Sequence, residues 1–173
     1  MKPRFAVLLA SASLAIAVQA GGATLPAACG REEVKLNVTT QKRQPGGPAA
    51  SADRSTLIFV QRNSLCVGCS TTRVGLDGTW VGADKGNSFF AVTVAPGEHH
   101  VCASWGAPLA RTENKIGLTE LTAEAGQMYY FEIAVERYGR DDVPIMQLKP
   151  ISNDLGAFLV ARSKESVATS KGN

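Results

Sequence analysis

The sequence predicts an all-β fold, a single antiparallel sandwich of about seven or eight short strands with one short helix near the C-terminus. Three observations carry this expectation. Apolar side chains recur at every second position in several short runs. Gly, Pro and Asp corners interrupt those runs at close spacing. Only one segment, after Asp154, reads as helical, and neither an internal repeat nor a coiled-coil heptad is visible.

In chain order, residues 1–20 read as a cleaved secretory signal. Lys2 and Arg4 form a positive start, Phe5 to Val18 is an apolar run, and Val18-Gln-Ala20 is a small-residue cleavage pattern. The run falls short of the roughly 20 residues that a spanning helix needs. Cleavage after Ala20 leaves about 153 of the 173 residues, enough for one domain with a core. Losing Lys2 and Arg4 also takes the formal charge from +3 to about +1. A nearly neutral domain without a basic cluster argues against nucleic acid or an anionic membrane as the main partner. Lipid anchoring at Cys29 is disfavoured, because Pro26 stands where a lipobox wants an aliphatic residue.

Residues 21–53 read as an N-terminal arm and flexible linker. A short strand is expected over Val34 to Val38. Thr40 to Asp53 (TQKRQPGGPAASAD) is too poor in large apolar residues to build a core. Asn37-Val-Thr39 matches a glycosylation sequon, a triplet too common to carry weight.

The sandwich is assigned to residues 54–163. Thr56 to Gln61 (TLIFVQ) is an apolar, β-prone run suited to a central strand. A loop with Cys66 and Cys69 follows. Arg73 to Trp105 then reads as two successive hairpins. Asp77-Gly78 supplies the positive φ angles of a type I′ turn between Val74-Leu76 and Thr79-Val81. Lys85-Gly-Asn87 is a second turn. Ser88 to Val94 follows, with Phe90, Val92 and Val94 on one face and Phe89 and Ala91 on the other; two apolar faces imply cover on both sides near Phe89. Pro96-Gly97 is a corner, and His99 to Trp105 returns with Val101, Ala103 and Trp105 on one face and His100 and Cys102 on the other. Gly117 to Ala123 is a weaker strand. Met128 to Glu136 is the best one, placing Tyr129, Phe131, Ile133 and Val135 together. Tyr138 to Asp142 is a polar hairpin tip, and Pro144 to Leu148 returns. Asp154 is expected to cap a helix from Leu155 to about Ser163, and residues 164–173 to form a disordered tail.

Four of these segments, TLIFVQR, LDGTWVG, PGEHHVCA and AEAGQMYYFEI, occur in an order that resembles the bacterial domain of unknown function 2846, from about Ser55 to Ala161. The LDG-x-x-VG and PGEH pair shares its turn logic with PEGA-type modules. The resemblance implies a small β-sandwich in the cell envelope. It implies no catalytic residues.

Candidate chemistry centres on the four cysteines. An even number in an exported chain points to two disulfides among Cys29, Cys66, Cys69 and Cys102. Of the three pairings, Cys66–Cys69 with Cys29–Cys102 is favoured. Cys29 joined to Cys66 or Cys69 stands close behind, because a ring closed across two intervening residues is tight. The Cys66-x-x-Cys69 spacing is also that of a thiol oxidoreductase, although such sites place the first Cys at a helix N-terminus and here loop and strand follow. A metal reading takes Cys66, Cys69, Cys102 and His100 or His99 as a Cys3His zinc set. Trp80, Trp105 and Tyr130 are candidates for an aromatic platform facing a sugar or peptide, against the commoner fate of strand aromatics in a core. No G-x-S-x-G or H-E-x-x-H motif occurs. The leading reading is therefore a non-enzymatic, periplasmic or secreted β-sandwich without cofactor, serving a binding or envelope-support role toward an envelope protein or glycan. The alternative is a periplasmic thiol redox or metal-binding protein using Cys66 and Cys69.

Overall fold

The structure, a computed structural model, describes residues 25–30, 34–43, 46–62, 71–105, 115–138 and 143–170. Its elements are β1 (Leu36–Gln41), β2 (Ser55–Gln61), β3 (Thr72–Leu76), β4 (Thr79–Asp84), β5 (Ser88–Val94), β6 (Gly97–Trp105), β7 (Ile116–Ala123), β8 (Met128–Tyr138), β9 (Val143–Ile151), α1 (Asn153–Arg162) and β10 (Lys164–Ser170). They form an all-β sandwich. One sheet has the order β1-β10-β5-β2-β8-β9 and the other β4-β3-β6-β7.

β2 is the central strand, with all seven residues buried. Leu57 and Phe59 point between the sheets and meet Phe90, Val94, Phe131 and Ile133 of their own sheet and Val74, Val101, Ala103 and Trp105 of the other. Phe59 lies opposite Phe90 on one side and Phe131 on the other. Its ring stacks on theirs at 5.3 and 5.4 Å between centroids, and each such pair is worth about 0.5–1.5 kcal/mol beyond area burial. Ile58 and Val60 point the opposite way, joining Phe89, Tyr130 and Val160 in a second core beneath α1. The helix lies close because Gly156 has no side chain. A Cβ there would sit 2.1 Å from the Tyr130 ring.

The Asp77-Gly78 turn forms as expected, with φ of 50° and 82° and Leu76 opposite Thr79. The second expected hairpin does not form. β5 pairs with β2 and β10, whereas β6 pairs with β3 and β7 in the other sheet. The Pro96-Gly97 corner, with Gly97 at φ 136°, therefore arches from one sheet to the other. Alternation is the same in a hairpin and in an arch; what decides is which neighbouring strand edge each strand can reach.

Four further expectations are corrected. The large sheet is mixed, since β2–β8 and β10–β5 are parallel. The helix begins at Asn153 and is capped by Ser152, whose Oγ accepts from Leu155 N–H at 3.3 Å. Asp154 sits in the first turn, where its charge complements the helix dipole. The tail from Lys164 is strand β10 and not disordered up to Ser170, because its partner β1 offers a free edge over six positions. β1 in turn extends beyond Val38 to Gln41, so part of the segment assigned to the arm and linker belongs to the sandwich. The sandwich closes at one side where Gly117 of β7 meets β9: a Cβ there would lie 2.9 Å from Leu148 N.

Two substitutions test this packing. Phe59→Ala is expected to lower the unfolding free energy by about 3–5 kcal/mol in chemical denaturation, since it empties the middle of the stack. Gly156→Val is expected to cost about 1–3 kcal/mol by lifting α1 off Tyr130.

Candidate functional site

Four of the sequence-predicted residues, Cys29, Trp80, His100 and Cys102, lie on the outer face of the small sheet. The arm, residues 25–30, lies across it. Cys29 is bonded to Cys102 of β6, with the Cα atoms 5.2 Å apart across 73 positions of sequence, and both cysteines are buried. The arm turns at Cys29, whose N–H donates to Pro26 O at 2.9 Å, and Gly78 N–H donates to Ala28 O at 3.2 Å. Two glycines permit this approach. A Cβ on Gly75 would lie 2.9 Å from Cys29 Cα, and one on Gly30 would lie 2.1 Å from Trp80 Cδ1.

Trp80 faces the arm because of a bulge. Val74 pairs with Gly82 but Gly75 pairs with Trp80, leaving Val81 as the extra residue. Trp80 is half-buried, flanked by Gly30 and by the Arg73 guanidinium 4.9 Å from its ring centroid. Trp105 is buried in the inter-sheet core and Tyr130 in the core beneath α1, where burial pushes its phenol pKa up. The three aromatics lie in three different places and form no shared platform.

Between the arm and strands β6 and β7 runs a groove of about 490 Å³, lined by Pro26, Ala28, His100, Leu118, Thr119 and Glu120 among others. Leu118 is 53% exposed. A smaller hollow of about 300 Å³ shares His100 and Glu120 and continues toward Glu98 and Thr122. His100 pairs with Glu120 at 3.2 Å, with both side chains well exposed; such a pair is worth little in water.

At the end of the groove, Asp77 binds two consecutive histidines. Its Oδ1 accepts from His100 N–H at 2.8 Å, and its Oδ2 lies 2.7 Å from His99 Nδ1. His99 Nε2 lies 2.8 Å from Ala95 O. A carbonyl and a carboxylate only accept, so both contacts are fully made when both ring nitrogens carry a proton and the ring is cationic. Burial works against that charge, but the Ala95 carbonyl and Asp77 outweigh it and hold the His99 pKa above its ordinary value. For Asp77, burial raises the pKa, and the contacts from His99 and His100 more than reverse this.

A second polar cluster lies between the sheets. Gln61, Thr72, Asp84 and Trp105, all buried, project inward at one end of the sandwich. Asp84 Oδ1 accepts from Lys85 N–H at 2.8 Å, from Ser166 Oγ at 3.0 Å and from Ser88 Oγ. The Ser88 and Ser166 hydroxyls are 2.6 Å apart. Burial pushes the Asp84 pKa up to about 7, against the pull of those hydroxyls and of the Lys85 and Gln61 backbone. Asp84 Oδ2, Gln61 Oε1, Thr72 Oγ1 and Trp105 Nε1 make no hydrogen bond among the described residues.

Cys66 and Cys69 lie outside the described residues, as do the signal segment and the hairpin tip over 139–142. With Cys102 in a disulfide, the Cys3His zinc set loses a thiolate. Among the described residues no group of three His, Cys, Asp or Glu is placed to hold a metal ion, and no helix is long and apolar enough to cross a membrane. No family model matches the chain, and no curated protein or solved structure matches it either.

In the sequence Asp77 reads only as a turn residue, and no motif marks Asp84, Ser88 or Ser166. Asp77 was findable: an Asp at a hairpin tip can dock on a neighbouring strand. For Asp84 the only signal was an acid ending an otherwise apolar strand, TWVGAD.

The double substitution Cys29→Ala/Cys102→Ala is expected to lower the unfolding free energy by about 2–5 kcal/mol, measured by denaturant titration. The His99–Asp77 pair is expected to show its own pH window. Because the His99 pKa is raised, its stabilisation is complete below the unfolded value of about 6.5 and is lost as pH rises through the folded value. Because the Asp77 pKa is lowered, its share is complete above about 3.8 and is lost as pH falls through the folded value. The stability gap between the native protein and His99→Gln, read at pH 5.5 and pH 8.5, is expected to shrink at the higher pH.

Proposed function

We propose that this protein is an exported, non-enzymatic β-sandwich of the bacterial cell envelope, of the kind its resemblance to the domain of unknown function 2846 implies, and that it binds an envelope protein through the groove beside its N-terminal arm. One observation carries the reading. Leu118, 53% exposed, lies in a groove of about 490 Å³ whose other wall is a segment pinned by a disulfide. An apolar side chain held open to water beside a disulfide-pinned wall suits an inserted apolar group, with the exposed Glu120 at the groove to orient a cationic one. The disulfide fits an oxidising compartment, and the signal-like residues 1–20 support export.

Site-specific photo-crosslinking in intact cells tests this. A photoreactive residue at Leu118 is expected to yield a discrete higher-mass adduct. The same residue at the exposed Thr93 of the other sheet is expected to yield none. The Leu118 adduct is expected to disappear when Cys29 and Cys102 are both replaced by Ala. No adduct from Leu118, or equal adducts from both positions, would defeat the reading.

A further inference from the structure

Strands β1 and β10 form a ribbon joined to the sandwich by a short β10–β5 ladder and by packing on β4. They pair with each other over six positions, from Leu36↔Ser170 to Gln41↔Glu165. β10 pairs with β5 at only two, Lys164↔Ser88 and Glu165↔Phe89. Of the buried residues in the ribbon, only Val38 is apolar; the other is Ser166. Hydrophobic burial is therefore a weak part of what holds it. Ser166 is the residue at which β10 leaves β5, and its hydroxyl meets Asp84 Oδ1 at 3.0 Å, Ser88 Oγ at 2.6 Å and Lys85 N–H at 3.1 Å. The join between ribbon and sandwich is centred on one buried carboxyl group.

No charged side chain among the described residues compensates that carboxyl. On β4 and its turn, Lys85 supplies its backbone N–H and points its side chain to solvent. β5 supplies the Ser88 hydroxyl. On β10, Glu165 bonds Gln41 within the ribbon, and Lys164 is exposed. On β2, Gln61 is neutral and the adjacent Arg62 is paired with Glu132. β3 presents Thr72, with Arg73 lying over Trp80, and β6 presents Trp105. A carboxylate here would be held by hydroxyl and amide donors alone, and a buried charge without a partner favours any state that lets water in.

We propose that Asp84 is a proton-controlled latch: the neutral acid holds the β1–β10 ribbon closed on the sandwich, and ionisation releases it. Closed, the burial of Asp84 places its pKa at about 7; opened to water, the group returns toward 3.8. The closed state thus binds the proton more tightly. Its advantage is complete below about pH 3.8, falls as pH rises, and is gone above about pH 7. Between pH 5 and pH 8 the opening equilibrium shifts by roughly a hundredfold. Opening uncovers Val38 and frees the β5 edge at Ser88 and Phe89, which can then accept another strand.

Amide hydrogen exchange on the full mature protein tests this, with rates corrected for their intrinsic pH dependence. Protection of the amides that bond across the β1–β10 ladder, which are those of every second residue on each strand, is expected to fall by roughly a hundredfold from pH 5 to pH 8. Ile58 and Phe59 in β2 serve as reference, and their protection is expected to fall far less. Asp84→Asn is expected to flatten the ribbon's profile. Ser166→Ala is expected to lower ribbon protection at pH 5 while sparing β2. A ribbon profile indifferent to pH in the native protein overturns the latch. So does an equal loss in β2, which would mean global destabilisation, or a slope that survives in Asp84→Asn.

Discussion

The burial of β2 on both faces is the constraint from which the other elements follow. STLIFVQ has no side for water. Leu57 and Phe59 need an apolar surface across from them, which the second sheet provides through Val74, Val101 and Ala103. Ile58 and Val60 need another, which α1 provides through Val160. Both edges of β2 must also be hydrogen-bonded, so β5 and β8 flank it, and their phenylalanines close on Phe59 as a three-ring stack. The helix that covers the outer face must start near the end of β9. It ends where β10 can reach the far side of β5. A sandwich with a helix on one face is the geometry that leaves no part of β2 exposed.

The inter-sheet space is not uniform along its length. Its middle is aromatic and aliphatic, but at one end it becomes polar with Gln61, Thr72, Asp84 and the indole N–H of Trp105. Burying polar atoms costs free energy unless they find partners. A carboxyl in such a place keeps its proton to higher pH than one in water. The small sheet's outer face solves a different problem. Cys102 and the bare Gly75 would be open to solvent, and the disulfide-tied arm covers them. The groove exists because that cover stops short of Leu118.

Much of the fold was legible because it rests on local chemistry. Asp77-Gly78 favours a tight turn with positive φ at both residues, and that turn forms. Tyr129, Phe131, Ile133 and Val135 share one face in any extended strand, and all four meet the core. Apolar residues on both faces of the strand at Phe89 call for cover on both sides, and α1 supplies the outer cover. The candidate site was legible only in part. Cys29 and Cys102 were a favoured pair among alternatives, because sequence carries no distance between thiols. Trp80 and Trp105 looked equivalent, yet a bulge at Val81 turns one outward under the arm while the other keeps to the core.

The sequence by itself determined which stretches are extended, where they turn and which side chains share a face, since these depend on alternation and on what Gly, Pro and Asp permit within a few residues. Only the tertiary structure decided which strands are neighbours. The Pro96-Gly97 corner became an arch between sheets, Lys164 to Ser170 became a strand because β1 was waiting for it, and Asp84 met Ser166 across 82 positions of chain. The reason is that backbone hydrogen bonds between strands carry almost no residue identity. Partner choice is made by the shape of the whole buried core and by which edges remain open once that core has closed.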